Sequence, residues 1–504
     1  MFKSFTGYHL VEHYHNRKKR VPKHPNADLN KALKIIFVVA MTLLVWCLPS
    51  DSFGIPNLSV VEQRTIAIFV FASLMWIFEG ISSWATSMVV VVLLLFTCSD
   101  SSLFCFVKGY EEASLGTLIS YKKILACFAD PIIMLFIGGF IIAIAATKSG
   151  LDVKLARVLL KPFGTRSELV LLGFILVTGL FSMFLSNTAT AAMMLTFLTP
   201  VLKQLPPEGK GRIGLAMAIP IGANIGGIGT PIGTPPNAIA LKALNDPDGL
   251  NLGIGFGEWM MFMFPLAILL LIFAWFVLLK MFPFTQKNIE LKIEGESKKD
   301  WRNWVVYITF AATILLWIGD EISGVNSNVV AMLPVGVFCA CGIIKRKDLE
   351  EINWSVLWMV AGGFAIGVAL QDTHLAADMI DAIPFNQWPA LLMLIGSGLL
   401  CYLLSNFISN TATAALLVPI LTVVGVAAAE NLAPLGGVGP LLIGIALSAS
   451  LAMVLPISTP PNAIAHSTGL IQQNQMMKVG IIMGVTGMVA GYMMLIMLGK
   501  AGLI

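Results

Sequence analysis

The sequence predicts an all-α polytopic membrane protein, and three observations carry the prediction. Of the 504 residues, 57% are hydrophobic and only 12% are charged, whereas a soluble domain carries about twice that charged fraction. Apolar runs long enough to cross a bilayer recur along the chain. Three short motifs occur twice in the same order. The composition excludes a soluble multidomain enzyme and a disordered chain. The net charge of only +4 also argues against a nucleic-acid partner.

The apolar runs follow a polar tail, residues 1–33, and fill residues 34–500. Nine runs are uninterrupted and predict spanning helices near 34–49, 64–80, 83–98, 124–147, 255–281, 303–318, 329–344, 354–371 and 479–499. Two longer stretches, 167–242 and 389–470, are also apolar, but Gly, Pro, Ser, Thr and Asn interrupt them. Tryptophans near the ends of spans are predicted to anchor the protein at the membrane interface; they are Trp46, Trp76, Trp259, Trp304 and Trp354.

Lysine and arginine placement predicts the orientation, because basic loops stay in the cytoplasm. The basic clusters lie in the tail and at 148–166, 203–212, 287–302 and 345–347, while 50–63, 374–388 and 431–438 contain no Lys or Arg. One membrane topology places all basic loops inside and all loops without Lys or Arg outside: each interrupted stretch is a re-entrant hairpin followed by one broken helix. It gives eleven transmembrane helices plus two re-entrant hairpins, about 167–203 and 389–430. The N-terminus is then cytoplasmic and the C-terminus external.

Three pairs of segments repeat at nearly one offset. Gly138-Gly139-Phe140 recurs as Gly362-Gly363-Phe364, Ser182–Ala192 as Ser405–Ala415, and Thr234–Ala240 as Thr459–Ala465, with offsets of 224 (138 to 362), 223 (182 to 405) and 225 (234 to 459). In the predicted topology the first copy, about 64–281, and the second copy, about 303–499, enter the membrane from opposite sides, so the repeat is inverted. Inverted repeats with paired broken helices are typical of secondary transporters.

A Ser-Asn-Thr motif stands at the centre of each predicted hairpin, at 186–188 and 409–411. A turn at membrane depth frees backbone groups that must be satisfied there. The helix leaving each turn offers N–H groups to an anion, and the freed carbonyl groups with Ser and Asn oxygens suit a small cation. Opposite each turn, a Thr-Pro-Pro-Asn break lets the preceding residues, Gly233 and Ser458, expose their carbonyl groups.

The interrupted stretches contain almost no charge. No charged residue lies between Glu168 and Lys203, and only Glu430 lies between residues 389 and 477. A dianion at the turns would find no Lys or Arg, so cations bound with it must balance its charge. Proton coupling is disfavoured because buried Asp and Glu are missing, which leaves Na⁺ as the simplest cation. His466, near the second break, is predicted to pack between helices with its ring hydrogen-bonded.

From about residue 35 onward the doubled motifs resemble the divalent anion/sodium symporter family, of the INDY type, which carries di- and tricarboxylates or sulfate. The resemblance implies an elevator-type homodimer whose transport domain, including 167–242 and 389–470, slides against a scaffold formed by the remainder. It implies two sodium sites, one at Ser182, Ser186, Asn187 and Gly233 and the other at Ser405, Ser409, Asn410 and Ser458. It also implies substrate-binding residues, namely Asn187, Thr188, Asn410 and Thr411 with Thr234 and Thr459 nearby.

The resulting hypothesis is sodium-coupled symport of a C4 dicarboxylate such as succinate across the plasma membrane. A dicarboxylate exchanger remains open, as do sulfate and citrate as substrates. The signature motifs of zinc proteases, serine hydrolases and P-loop enzymes are absent, so no enzymatic activity is expected.

Overall fold

The computed structural model describes residues 27–56, 58–206, 209–247, 249–289, 300–382 and 388–504. Within these ranges the regular structure is helical, and only isolated bridges pair extended backbone, from Ser99 to Ile119 and from Arg166 to Asn288. Most of the predicted tail, 1–33, lies outside the described residues. The prediction of an all-α, multi-spanning fold is confirmed.

The main helices are numbered here in chain order. They are α1 Ala27–Cys47, α2 Val60–Phe78, α3 Ser83–Thr97, α4 Pro131–Ser149, α5 Leu151–Leu160, α6 Ser167–Phe184, α7 Asn187–Leu202, α8 Lys210–Gly226, α9 Pro235–Leu244, α10 Phe256–Met281, α11 Trp301–Ile318, α12 Met332–Ala340, α13 Trp354–Asp372, α14 Ser397–Ser405, α15 Asn410–Ala427, α16 Val438–Leu451, α17 Pro460–Ser467 and α18 Gln473–Lys500.

Ten helical segments of the described chain are long and apolar enough to cross a membrane, and an eleventh is added if the bent pair Ala429–Leu435 and Val438–Leu451 is one span. Two predicted spans are short: α3 has 15 residues, and Ser327–Ala340 is also below the length of a full span. A 15-residue helix rises about 22 Å, less than the ~30 Å of hydrocarbon. Conversely, α6 and α15 are long enough to span although each ends or begins at a turn within its interrupted stretch.

Both interrupted stretches fold as a helix pair followed by a broken helix. A two-residue connection, Leu185 and Ser186, joins α6 to α7, and residues 406–409 join α14 to α15; we call these connections the first and second tip. The helix that starts with α8 leaves α-helical geometry at 227–234 before α9, and the helix that starts with α16 does so at 452–459 before α17. We call these segments the first and second break.

The doubled Gly-Gly-Phe motif brings helices of the two copies into close contact. A Cβ atom on Gly138 would overlap the carbonyl oxygen of Ala331, and one on Gly362 would overlap the side chain of Ser87. The Ser87 hydroxyl donates to the carbonyl oxygen of Met359 at 3.2 Å. Each motif therefore packs against a short helical segment of the other copy, where only glycine permits the approach.

The helices that follow the breaks also pack against helices of the other copy. The helix α9 packs against α15 and α16 of the second copy, and α17 packs against α7 and α8 of the first. The two tips and two breaks therefore belong to one packed unit. A different unit is formed where α4 contacts α11 and α12.

The tryptophan prediction is wrong for two of the five residues. Trp76 and Trp259 are only 1% and 0% exposed, and their indole N–H groups donate to the carbonyl oxygens of Ser83 and Ile228, each at 3.2 Å. Trp304 and Trp354 are exposed. The position of a tryptophan near the end of a span does not show which face of the helix its side chain occupies. These two indoles face the protein interior and donate to carbonyl oxygens there.

Candidate functional site

Each tip ends one helix and starts the next through a serine in extended conformation. Ser186, with φ −60° and ψ 139°, accepts a hydrogen bond on its hydroxyl oxygen from the Ala189 N–H group at 3.3 Å. Ser409, with φ −63° and ψ 141°, does the same for Ala412 at 3.2 Å. Both serines are N-caps. Each tip consequently directs the first N–H groups of a helix away from the helix body.

Behind the first tip, three oxygen atoms converge. The Ser182 hydroxyl oxygen lies 2.6 Å from Asn187 Oδ1 and 2.7 Å from the carbonyl oxygen of Ala223. Ser182 is fully buried. A hydroxyl group has one proton, so it donates to only one of these two acceptors at a time. We call this group of atoms the first oxygen cluster.

Behind the second tip, the same arrangement recurs. The Ser405 hydroxyl oxygen lies 2.9 Å from Asn410 Oδ1 and 3.1 Å from the carbonyl oxygen of Ala449, and Ser405 is also fully buried. We call this group the second oxygen cluster. Ser405 and Asn410 are the repeat equivalents of Ser182 and Asn187, and the carbonyl oxygen of Ala449, 226 positions after Ala223, takes the same place by its contact. Sequence repetition at the tips is thus matched by repetition of the contacts.

The first break faces the first oxygen cluster. A Cβ atom on Gly227 would lie 2.8 Å from Asn187 Oδ1 and 3.0 Å from the carbonyl oxygen of Gly233, and a Cβ atom on Gly233 would overlap the carbonyl oxygen of Gly227. Asn187 and Gly233, predicted to share a site, are therefore brought together. The space between them depends on two glycines that carry no side chain.

The asparagine of each Thr-Pro-Pro-Asn motif holds its break open. Asn237 Nδ2 donates to the carbonyl oxygens of Gly227, Ile228 and Thr230 at 3.1, 3.2 and 2.8 Å. Asn462 Nδ2 donates to Met453 and Leu455 at 2.8 and 3.0 Å in the second break. These bonds satisfy carbonyl groups that the interrupted helix leaves free.

A hydroxyl group ties each break to the helix end or tip beside it, but from different positions. In the first copy the Thr230 hydroxyl donates to the carbonyl oxygen of Met183. In the second copy the Ser458 hydroxyl lies 2.9 Å from the carbonyl oxygen of Asn406 and 3.3 Å from its Oδ1. The side chain of Ser458 is thus engaged with the tip, and its backbone carbonyl is the group that corresponds to Gly233.

The predicted substrate threonines lie at the starts of helices. Thr188 and Thr411 are the second residues of α7 and α15, and Thr188 is half-buried while Thr411 is 7% exposed. Thr234 and Thr459 are the N-caps of α9 and α17, and only the Thr459 hydroxyl oxygen accepts a capping bond, from Asn462 N at 3.3 Å.

Sequence reasoning missed two buried asparagines. Asn224 Nδ2 in α8 donates to Thr459 Oγ1 and to Asn462 Oδ1, each at 3.1 Å. Asn406 Oδ1 accepts from Val454 N at 2.9 Å, which links the second tip to the second break. The available signal was one amide side chain in an otherwise apolar run, which marks a polar contact but does not identify its partner.

The predicted packing role of His466 agrees with its contacts, since Nδ1 lies 2.9 Å from the carbonyl oxygen of Ile471. Among the described residues, no group of three or more His, Cys, Asp or Glu side chains could hold a metal ion. A cation at the tips would therefore be held by neutral oxygens. Cavities of about 720 and 380 Å³ are lined by none of the predicted site residues, although Leu185 of the first tip lines the larger of the two.

The family described as CitMHS, citrate transporter, matches residues 73–436. Curated relatives include an uncharacterized transporter of Haemophilus influenzae, 31% identical over 85% of this chain and 91% of its own length. The sodium-dependent dicarboxylate transporter SdcS of Staphylococcus saprophyticus is 29% identical over 90% of each chain, and SdcS of Staphylococcus aureus strain USA300 is 30% identical over 82% of each.

Two solved structures share the fold at 11% sequence identity. One is the Alcanivorax borkumensis transporter YdaH, with a TM-score of 0.54 over 86% of this chain and 98% of that chain. The other is the Neisseria gonorrhoeae efflux pump MtrF, with a TM-score of 0.51 over 83% and 95%. Both similarities concern the fold alone.

Proposed function

The chain belongs to the citrate transporter family, and on this premise we propose that it is a secondary transporter coupling inward movement of Na⁺ to uptake of a carboxylate dianion, a C4 dicarboxylate such as succinate. Relatives at about 30% identity are named sodium-dependent dicarboxylate transporters. The main structural support for sodium coupling is the pair of oxygen clusters. Behind each tip, an Asn amide oxygen, a Ser hydroxyl and a backbone carbonyl lie together.

The oxygen clusters favour Na⁺ for two physical reasons. Their donors are neutral oxygens, which suit a hard cation of single charge. Each serine also has two neighbouring acceptor oxygens but one proton, so a cation bound to these oxygens would offset the repulsion that the single proton leaves. Ser186 and Gly233 would complete the first site, and Ser409 and the Ser458 carbonyl would complete the second.

The substrate is proposed to bind between the tips. The helices α7 and α15 begin there, and their free N–H groups with the Thr188 and Thr411 hydroxyls and the amide groups of Asn187 and Asn410 are suited to carboxylates. Thr234 and Thr459, at the starts of α9 and α17, complete the donor set. Because the sequence of both hairpins lacks Lys and Arg at the tips, the bound Na⁺ ions supply the positive charge.

Transport is proposed to follow an elevator movement within an inverted repeat. The tips and breaks of both copies pack into one unit through α9 with α15 and α17 with α7, which supports a moving transport domain that includes 167–242 and 389–470. The remainder would form a scaffold that holds a homodimer in the plasma membrane. The positions of the basic clusters support a cytoplasmic N-terminus and an external C-terminus in this proposal.

Citrate is the second candidate substrate, because the matching family is described as a citrate transporter. Its third carboxyl group distinguishes it from succinate, while a tetrahedral dianion such as sulfate makes similar demands on N–H and hydroxyl donors. Labelled succinate uptake, competed separately with citrate and sulfate, identifies the preferred anion. Uptake that requires a preloaded dicarboxylate instead of a sodium gradient would identify an exchanger.

The deciding experiment uses the purified protein in proteoliposomes with labelled succinate. Replacing external Na⁺ by K⁺ or choline should reduce uptake to the level of protein-free liposomes, and unchanged uptake would refute sodium coupling. Thr188→Ala and Thr411→Ala should raise the KM for the anion by roughly tenfold or more, since each removes a hydrogen bond to a charged group. The matched controls are Thr196→Ala and Thr422→Ala, whose hydroxyls bond only carbonyls of their own helices.

A further inference from the structure

One side chain crosses from the first copy to the second break. The Asn224 amide is 2% exposed, and its Nδ2 donates to Thr459 Oγ1 and Asn462 Oδ1, each at 3.1 Å. Thr459 directly follows Ser458, whose hydroxyl is bound to the second tip. Asn224 therefore fixes the start of α17, next to the carbonyl group that the second sodium site is proposed to use.

The preceding residue belongs to the first oxygen cluster. The carbonyl oxygen of Ala223 lies 2.7 Å from the Ser182 hydroxyl oxygen, which lies 2.6 Å from Asn187 Oδ1. Because residues 223 and 224 share one rigid peptide plane, a displacement of the Ala223 carbonyl also displaces the backbone of Asn224. A continuous series of contacts thus runs from the first oxygen cluster to the second break.

The opposite copy lacks this connection. Ala449 supplies the carbonyl oxygen of the second oxygen cluster, but the residue after it is Ser450 instead of asparagine. The Ser450 hydroxyl is buried without a hydrogen-bond partner, and so is Asn237 Oδ1, the counterpart of Asn462 Oδ1. The Asn237 amide is fixed in orientation by the three carbonyl oxygens around its Nδ2, so its Oδ1 can only accept.

We propose that Asn224 is a positioning residue that couples the two cation sites, so that Na⁺ binding at the first oxygen cluster raises the Na⁺ affinity at the second, and the reverse. The proposal rests on the proposed function. Ordering of the Ala223 carbonyl by one ion holds the Asn224 amide in place, and this amide holds Thr459 and Asn462 at the other site. Coupling of this kind is reciprocal by thermodynamic necessity, although only one of the two equivalent crossings carries it.

The test compares sodium titrations of succinate uptake at saturating succinate. Asn224→Ser gives the first copy the residue that the second copy already has. It should lower the Hill coefficient for Na⁺ from above 1 to about 1 and raise the Na⁺ concentration for half-maximal uptake by roughly fivefold or more. The matched control, Ser450→Ala, removes a hydroxyl that has no partner and should leave both values unchanged.

Three results would overturn the coupling role. They are a wild-type Hill coefficient of 1, an unchanged Hill coefficient in Asn224→Ser, and an equal loss in Ser450→Ala. If Asn224→Ser does not transport, the same titration is followed by the melting temperature of the purified protein in Na⁺ against K⁺. If the melting temperature of Asn224→Ser no longer rises cooperatively with the Na⁺ concentration, the proposal is supported. If it rises as in the wild type, the proposal is refuted. Failure of the proposed function is distinct, because wild-type uptake would then not require Na⁺ at all.

Discussion

The two copies of the repeat use the same residues to form their oxygen clusters but different residues to support them. Ser182 and Ser405 make equivalent contacts with an asparagine amide oxygen and an alanine carbonyl. A hydroxyl in the break bonds the last turn of α6 from Thr230 in the first copy, and it bonds the second tip from Ser458 in the second copy. The donor positions differ by three residues of the repeat, whereas the acceptors, Met183 and Asn406, are equivalent residues. The comparison indicates that cluster geometry is the shared requirement and that the supporting contacts can vary.

The largest expected difference between the copies concerns Gly233 and Ser458, which occupy equivalent positions. Gly233→Ala places a methyl group against the carbonyl oxygen of Gly227. Overpacking of this kind costs roughly 1–3 kcal/mol or more, so sodium-dependent uptake should fall by about a hundredfold. Ser458→Ala removes a hydroxyl that donates to the carbonyl oxygen of Asn406 and accepts from Leu455 N. It should reduce uptake by roughly tenfold, as expected for the loss of these buried hydrogen bonds without overpacking.

Initial uptake rates at equal amounts of reconstituted protein measure both variants. Gly336→Ala is the control, because a Cβ atom there would meet no atom within 4 Å. If Gly233→Ala transports as well as Ser458→Ala does, the two breaks are not supported differently and the comparison fails.

A charge pair provides the next difference. Asp130 Oδ1 caps α4 by accepting from Ile132 N at 2.9 Å, and Asp130 Oδ2 lies 3.1 Å from Lys242 Nζ in α9. The residue equivalent to Lys242 in the second copy is Ser467, whose hydroxyl donates to Ile464 within α17. The first copy alone therefore has an ion pair at this position between the proposed scaffold and transport domain.

A double-mutant cycle measures this pair. Asp130→Asn keeps an oxygen for the helix cap, and Lys242→Met keeps the aliphatic chain, so the cycle isolates the charge interaction. The coupling energy in thermal unfolding should be about 1–2 kcal/mol, below the value for a fully buried pair because the Lys242 side chain is 30% exposed. Ser467→Ala should change stability by less than this. Additive effects of the two substitutions would show that the ion pair contributes nothing.

The sequence was sufficient for the tips and breaks because Ser-Asn-Thr and Thr-Pro-Pro-Asn act locally: a serine caps a helix, and proline interrupts one. Because the motifs repeat at nearly one offset, each tip and break of the first copy could be matched to its counterpart in the second. The crossing contacts of Asn224 and the ion pair of Asp130 with Lys242 were not predictable, since they join residues 235 and 112 positions apart. One polar residue in an apolar helix indicates that a partner exists, but only packing of the helices identifies it.

The prediction that α3 and Ser327–Ala340 are full spans failed for a related reason, although the predicted bounds, 83–98 and 329–344, lie within four residues of the observed ones. Hydropathy identifies an apolar run but does not show whether its helix is long enough to cross the bilayer. The buried indoles of Trp76 and Trp259 show the same limit, because composition does not determine which face of a helix meets protein and which meets lipid.

A difference in pH dependence concerns Asp152 in α5, whose counterpart in the second copy, 224 positions later, is Ala376. Burial raises the pKa of the Asp152 carboxyl from 3.8 to about 6, although Val153 N donates to it at 2.8 Å. A raised carboxyl pKa contributes stability that is full below pH 4 and is lost as the pH rises through about 6. Asp152→Asn should therefore raise the free energy of unfolding at pH 7.5 by up to about 3 kcal/mol. The melting temperature should rise with it and should depend less on pH between 4 and 6.

Melting curves of the purified protein at several pH values provide the measurement. The exposed Asp51→Asn serves as the control, and its curve should follow the wild type. A melting temperature of Asp152→Asn that falls below the wild type at pH 7.5 would contradict the raised pKa as the source of the pH dependence.

We propose that neutral oxygens and bound Na⁺, without any basic side chain, hold a dianion between the two tips. A structure determined in saturating Na⁺ and succinate would test this proposal. We expect a cation at each oxygen cluster, in contact with Asn187 Oδ1 and Asn410 Oδ1, and a succinate bound by Thr188 and Thr411. A Lys or Arg side chain in contact with succinate, or succinate bound with both clusters free of cations, would contradict it.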